Sequence, residues 1–110
     1  MTAPNLPELA AALITRAAAA SAGRASQTVH GGNEQELRQT VIALAAGQAL
    51  AEHFNPGEAT VHVLSGRVTL NAGSNAWSGS PGDLLIVPDS IHSLDALEDS
   101  VVLLTVAKLP

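Results

Sequence analysis

A chain of 110 residues suffices for one compact domain, and its 46% hydrophobic content supplies a real core. A net charge of −5, with five scattered basic residues (Arg16, Arg24, Arg38, Arg67 and Lys108), offers no cationic patch to displace counterions from phosphates, so nucleic acid is excluded as a partner. The absence of cysteine removes disulfides, thiolate metal sites and cysteine nucleophiles, and no apolar run approaches the ~20 residues of a membrane-spanning helix.

The start of the chain has no basic region followed by an apolar run, so no secretory signal is expected. A cysteine-free chain also suits a reducing cytoplasm, and a cytoplasmic protein without membrane contact is the expectation. With one Phe and one Trp, the core must be filled by Val, Leu, Ile and Ala, and little is left to stack on a planar ligand.

Residues 1–25 read as an N-terminal helix and linker, and residues 26–110 as the remainder of the domain. Asn5 is placed to cap the helix, Pro7 is tolerated in its first turn, and Glu8 stands where a capping box wants an acid. Leu6, Leu9, Leu13 and Ile14 recur at helical spacing beside Ala10 and Ala17, and the alanines to Ala20 prolong the helix until Gly23 ends it. So narrow an apolar stripe suits close packing, either on the rest of the domain or on a second subunit.

From Gln27 onward the pattern changes to short strands. Gln27 to His30 forms one, stopped by Gly31 and Gly32. Glu36 to Ala46 follows, and its nearly all-apolar middle, Thr40 to Leu44, predicts burial on both faces. Ala49 to Asn55 comes next, turned by Pro56-Gly57; Thr60 to Leu64 and Arg67 to Ala72 follow, the latter alternating Val68, Leu70 and Ala72 against Arg67, Thr69 and Asn71. Ala76 to Ser78 is an edge piece carrying Trp77, placed to cover that edge or to close the mouth of a pocket. Leu84 to Val87, Ile91 to Ala96 and Ser100 to Ala107 complete the set. Short strands at regular spacing with Gly and Pro turns predict an all-β sandwich or barrel.

All four histidines, His30, His53, His62 and His92, fall in this β portion. His53 and Asn55, two apart, share one side of their strand. In the next strand Ala59, Val61 and Val63 claim the inside, which turns His62 outward unless a bulge near Glu58 shifts the register. Asp83, directly after Gly82, is placed to satisfy turn amides.

The segment Gly47 to His92 resembles the cupins, the superfamily of double-stranded β-helix, jelly-roll barrels. Against the first cupin motif, G-x5-H-x-H-x(3,4)-E-x6-G, the chain offers Gly47, His53, Asn55 in place of the second His, Ala59 where the Glu would stand, and Gly66. Against the second, G-x5-P-x-G-x2-H-x3-N, it offers Gly82, Pro88, Ser90 for the Gly, and His92 one residue early. Fifteen residues separate Gly66 from Gly82, which suits the short intermotif loop of bacterial cupins. The chain as a whole is similar to small single-domain cupins of unassigned activity, whose relatives include metal-dependent dioxygenases, isomerases and non-catalytic binders.

The resemblance implies a cupin barrel with one N-terminal helix, and a pocket for a small-molecule ligand lined by His53, Asn55 and His92. Metal-binding cupins typically use three His and one Glu, a set that fills part of the shell of Fe, Mn, Ni or Zn and leaves room for water or substrate. His53 and His92 are retained from that set; Glu58 or His62 would have to complete it, or His30 from the N-terminal strand. Two readings stand side by side: a cupin that binds a divalent metal through this depleted set, and a metal-free, non-catalytic ligand-binding or regulatory protein. A homodimer is the implied state, with the helix or the strand Gln27 to His30 as contact.

Overall fold

The computed structural model describes residues 3–53 and 57–108, the side chains of residues 52 and 53 excepted. Its one helix among those residues, α1, spans Leu6–Ala19. The Asn5 side chain accepts the Glu8 amide at 2.9 Å and satisfies one of the donors that a helix start leaves unpaired. The helix stops at Ala19, four residues short of Gly23. Ala20 is already extended, and Gly23, at φ +68°, turns the chain into the first strand.

Nine strands follow among the described residues: β1 (Arg24–His30), β2 (Leu37–Leu44), β3 (Ala49–His53), β4 (Glu58–Ser65), β5 (Val68–Ala72), β6 (Asn75–Gly79), β7 (Leu84–Ile86), β8 (His92–Ala96) and β9 (Ser100–Ala107). They form two antiparallel sheets. The larger has the order β1-β2-β9-β4-β7 and the smaller β3-β8-β5-β6. The chain crosses between the sheets at every step from β2 to β5 and again at every step from β6 to β9. These crossings lay one sheet over the other as a jelly-roll barrel, the double-stranded β-helix expected from the sequence.

The inner faces meet in a core of Ile42, Leu44, Val61, Val63, Val68, Leu70, Leu94, Ala96 and Val102. Strand alternation accounts for the membership, because the members that share a strand lie two positions apart. The outer face of the larger sheet carries a second core. There Ala10, Leu13 and Ala17 of α1 pack on Val41, Ala43, Val101 and Leu103. The run Thr40 to Leu44 is therefore buried on both faces as its composition predicts, with Ile42 and Leu44 inside the barrel and Val41 and Ala43 under the helix. Of the two seats open to the Leu6–Leu13 stripe, the chain's own sheet occupies this one.

The turns use glycine where the backbone demands it. Gly66 sits at φ +81°, and a Cβ there would overlap the Ser100 hydroxyl and the Asp99 carbonyl. Gly82, at φ +94°, is the third residue of the turn in which the Asp83 carboxylate accepts the Ser80 amide at 2.8 Å, the role read from the sequence for that acid. No helix among the described residues is long and apolar enough to cross a membrane.

Candidate functional site

The site grows out of the pairing of β3 with β8. Leu50 stands opposite Leu94, but three residues later His53 stands opposite His92, so β3 carries one more residue than its partner over this interval. Without that bulge position 52 would face His92. The extra residue re-aims the strand and puts position 53 there instead, a device bulges commonly serve beside binding sites. Strict alternation from the core residue Leu50 would assign His53 to the outer face, so the bulge reconciles the Leu50 packing with a site at position 53.

His92 begins β8 and shares its inner face with Leu94 and Ala96. Its ring is 4% exposed and, among the described residues, is the one buried titratable side chain. Nδ1 lies 2.9 Å from the Ser90 carbonyl oxygen. A carbonyl can only accept, so Nδ1 carries the proton of that bond, and in the neutral ring Nε2 is the basic nitrogen. The walls around the ring are aliphatic: Ile42, Leu50, Val61, Leu70, Val87 and their neighbours enclose about 20 Å³. That is room for roughly one water-sized particle. An organic ligand cannot sit at this depth without displacing side chains.

The other candidates fall elsewhere. Thr60, His62 and Leu64 lie on the face of β4 opposite the core residues Val61 and Val63. The β4–β9 register runs without a break from Glu58 to Val63, so the bulge at Glu58 that would turn His62 inward is not present. Glu58 shares the outward face with His62 and is exposed. Ala59, standing where the cupin acid would be, is buried and points its methyl toward the barrel. His30 ends β1 at the far edge of the larger sheet, where it lines an open groove with Leu6 and Gln39 outside the barrel. Asn55 lies outside the described residues. Among those that are described, no three His, Asp or Glu side chains form a cluster able to hold a metal ion. Trp77 lies on the edge strand β6, 43% exposed, opposite the core residue Leu70 on β5.

Sequence reasoning missed Ser100. Its hydroxyl is fully buried and ties the β5 entrance to the start of β9. It accepts the Arg67 amide at 3.1 Å and approaches the carbonyls of Arg67 and Glu98 at 3.0 and 2.7 Å. A serine at a strand start carries no sequence signal for such a role; only the folded approach of Gly66 to Ser100 creates it.

Two packed antiparallel sheets, threaded as a jelly roll and carrying a buried imidazole at the start of β8, define the class as a double-stranded β-helix barrel. Comparison with solved structures agrees. A conserved protein of unknown function from Streptococcus pyogenes is 30% identical, with a TM-score of 0.73 over 83% of this chain and 79% of that one. An RmlC-like cupin from Desulfovibrio desulfuricans is 26% identical, with a TM-score of 0.67 over 76% and 81%. A cupin superfamily protein from Desulfitobacterium hafniense is 17% identical, with a TM-score of 0.73 over 78% of each chain, a likeness of fold. No protein-family model and no curated protein matches the sequence. The chain belongs to the cupin superfamily.

Proposed function

We propose that this cupin binds a small molecule at the His53–His92 end of its barrel, with His53, Asn55 and His92 as polar anchors. One observation carries the reading: an imidazole is buried among aliphatic side chains, and the backbone register sets a second histidine position directly opposite it. Cross-strand partners occupy the same face of a sheet, so the register supports two imidazoles at one level of the barrel. The narrowness of the space beside His92 supports a ligand that contacts this ring from its edge rather than one engulfed by the core.

A second reading, a divalent ion held by His53 and His92, is favoured by the bond from Nδ1 to the Ser90 carbonyl. Metal-bound imidazoles commonly donate their second nitrogen in this way, which fixes the ring and raises the basicity of the other nitrogen. The remaining donors fit such an ion less well. Ala59 stands in the acid's place and both Glu58 and His62 face outward, so the set reduces to two imidazoles and the Asn55 amide. Fe, Mn, Ni or Zn in such a site would supply Lewis acidity while exchanging readily.

Thermal denaturation separates the two readings. Untagged protein is scanned against Mn²⁺, Ni²⁺ and Zn²⁺ salts and against a panel of small organic acids and polyols, with metal content measured by elemental analysis. A ligand at a hundred times its Kd raises stability by about 2.7 kcal/mol. The ligand reading expects an organic compound to stabilise wild type but neither His92→Gln nor Asn55→Ala, with no metal retained. Close to one metal per chain, lost in His53→Ala and His92→Gln, would establish the second reading instead. Stabilisation that survives all three substitutions would place the ligand elsewhere and remove both.

A further inference from the structure

The inner face of the larger sheet carries an uneven charge. Ile42, Val61 and Val102 point into the core, so Arg38 and Thr40 on β2, Leu104 and Val106 on β9, and Ala59 on β4 share their face. Arg24 on β1 pairs with the core residue Leu44 and joins them. Two of the chain's five bases therefore face the barrel side of this sheet, whereas Glu58, the one acid within its strands, faces outward. Along β2 the inner face grows more polar toward the end of the barrel where His92 lies. Leu44 and Ile42 are buried, Thr40 is half-buried with its hydroxyl 3.3 Å from that of Thr28, and Arg38 is exposed. Arg38 shares a cross-strand row with Val106, Ala59 and Val87, the residue after β7. Val87 also walls the space beside His92, so this row borders the imidazole. Among the described residues no hydrogen bond or ion pair engages the Arg38 guanidinium, although Glu36 is only two residues away.

We propose that Arg38 is the specificity-determining residue of the barrel site, and that the ligand is a short-chain organic acid. Its carboxylate pairs with the guanidinium, and its other end lies toward the His92 ring. This rests on the small-molecule reading of the His53–His92 end and names the class of molecule bound there. The reach is suitable. Strand spacing puts Arg38 about 10 Å across the sheet from Ala59, and the facing sheet that carries His92 lies about 10 Å away. The arginine side chain spans part of that gap and an acid of a few carbons the rest. The chemistry is suitable too. A guanidinium offers a planar fork of donors that a carboxylate accepts with both oxygens. The other members of its row, Val106, Ala59 and Val87, are aliphatic, and a poorly hydrated surround strengthens a charge-assisted bond. A chain of net charge −5 repels anions in general, so it holds one only where a cation is set apart from its acids. Arg24 cannot serve the same carboxylate. Its partner Leu44 lies six residues along β2 from Arg38, about 20 Å.

Isothermal titration calorimetry of the full chain tests the assignment. The probes are lactate, malonate, succinate and glutarate, each beside its primary amide. Wild type is expected to bind at least one acid and to ignore the matching amide. Arg38→Gln keeps donors but loses the charge and the fork, and is expected to weaken that acid by about tenfold or more. Arg38→Lys should fall between the two. Arg24→Gln makes the same change in net charge at the other end of the same face and should leave affinity within about twofold. His92→Gln should weaken the acid as well; if circular dichroism shows that variant misfolded, His53→Gln takes its place. An acid bound equally by wild type and Arg38→Gln, or amides bound as well as their acids, would overturn the assignment and leave the small-molecule reading standing. So would an equal loss in Arg24→Gln, which would mark a general charge effect. An acid sensitive to Arg38 but indifferent to the histidine variant would place the anion outside the barrel site and overturn it too. Absence of binding by every acid at millimolar concentration overturns the proposal, whereas stabilisation by a neutral compound that depends on His92 would still uphold the reading beneath it.

Discussion

Ser100 and Gly66 illustrate how single residues hold the barrel's corners. The Ser100 hydroxyl serves the Arg67 amide and the carbonyls of Arg67 and Glu98 from a fully buried position. Ser100→Ala removes the acceptor of the Arg67 amide at a buried position. We expect a loss of about 1–3 kcal/mol in chemical denaturation. Gly66→Ala should cost a similar or larger amount, because the positive φ and the overlap with Ser100 act together. If the two losses are measured singly and in combination, non-additivity is expected, since both act on one contact. Nothing in the sequence marks Ser100, whereas Gly66 is legible as a turn. A glycine between alternating strands has a local meaning; a buried hydroxyl acquires its meaning from a segment 33 residues away.

Helix α1 and strand β3 show the two outcomes at the level of elements. The helix follows local rules closely. Asn5 caps it and the apolar stripe supplies the buried residues Ala10, Leu13 and Ala17. Asn5→Ala should lower stability by about 1 kcal/mol. Leu13→Ala, at a position without solvent exposure, should lower it by about 2–5 kcal/mol. Equilibrium unfolding in urea measures both. The C-terminal boundary follows the same physics less closely: alanine propensity carries the helix to Ala19, and the approach to the sheet ends it before Gly23 is reached. Strand β3 escapes local rules altogether. Its bulge between Leu50 and His53 depends on pairing with β8, some forty residues on, and it decides which backbone position stands opposite His92. Alternation could place His53 and Asn55 together on one face, but not say which face.

For the whole molecule, the barrel is closed by aliphatic side chains that leave about 20 Å³ beside His92. Leu70 is one of those walls and is 1% exposed. Leu70→Ala should cost about 2–5 kcal/mol and leave a cavity able to take up a small apolar probe such as xenon or benzene, detectable by NMR shifts of the Leu94 and Val102 methyl groups. Full collapse of the site, with no probe uptake and a small stability loss, would show that the core repacks freely.

The order and type of elements were settled by the amino-acid sequence alone. Glycine and proline punctuation, a two-residue apolar period after residue 26 and a capped apolar stripe before it each act over a few neighbouring residues. So did the inward parity of Ala59, Val61 and Val63, which sets His62 outside. Tertiary structure decided what depends on partners distant in the chain: the β3 bulge that sets position 53 against His92, the burial of Ser100, and the docking of the helix on its own sheet. Strand register and sheet coverage are properties of pairs of segments, and a single segment carries no record of its partner.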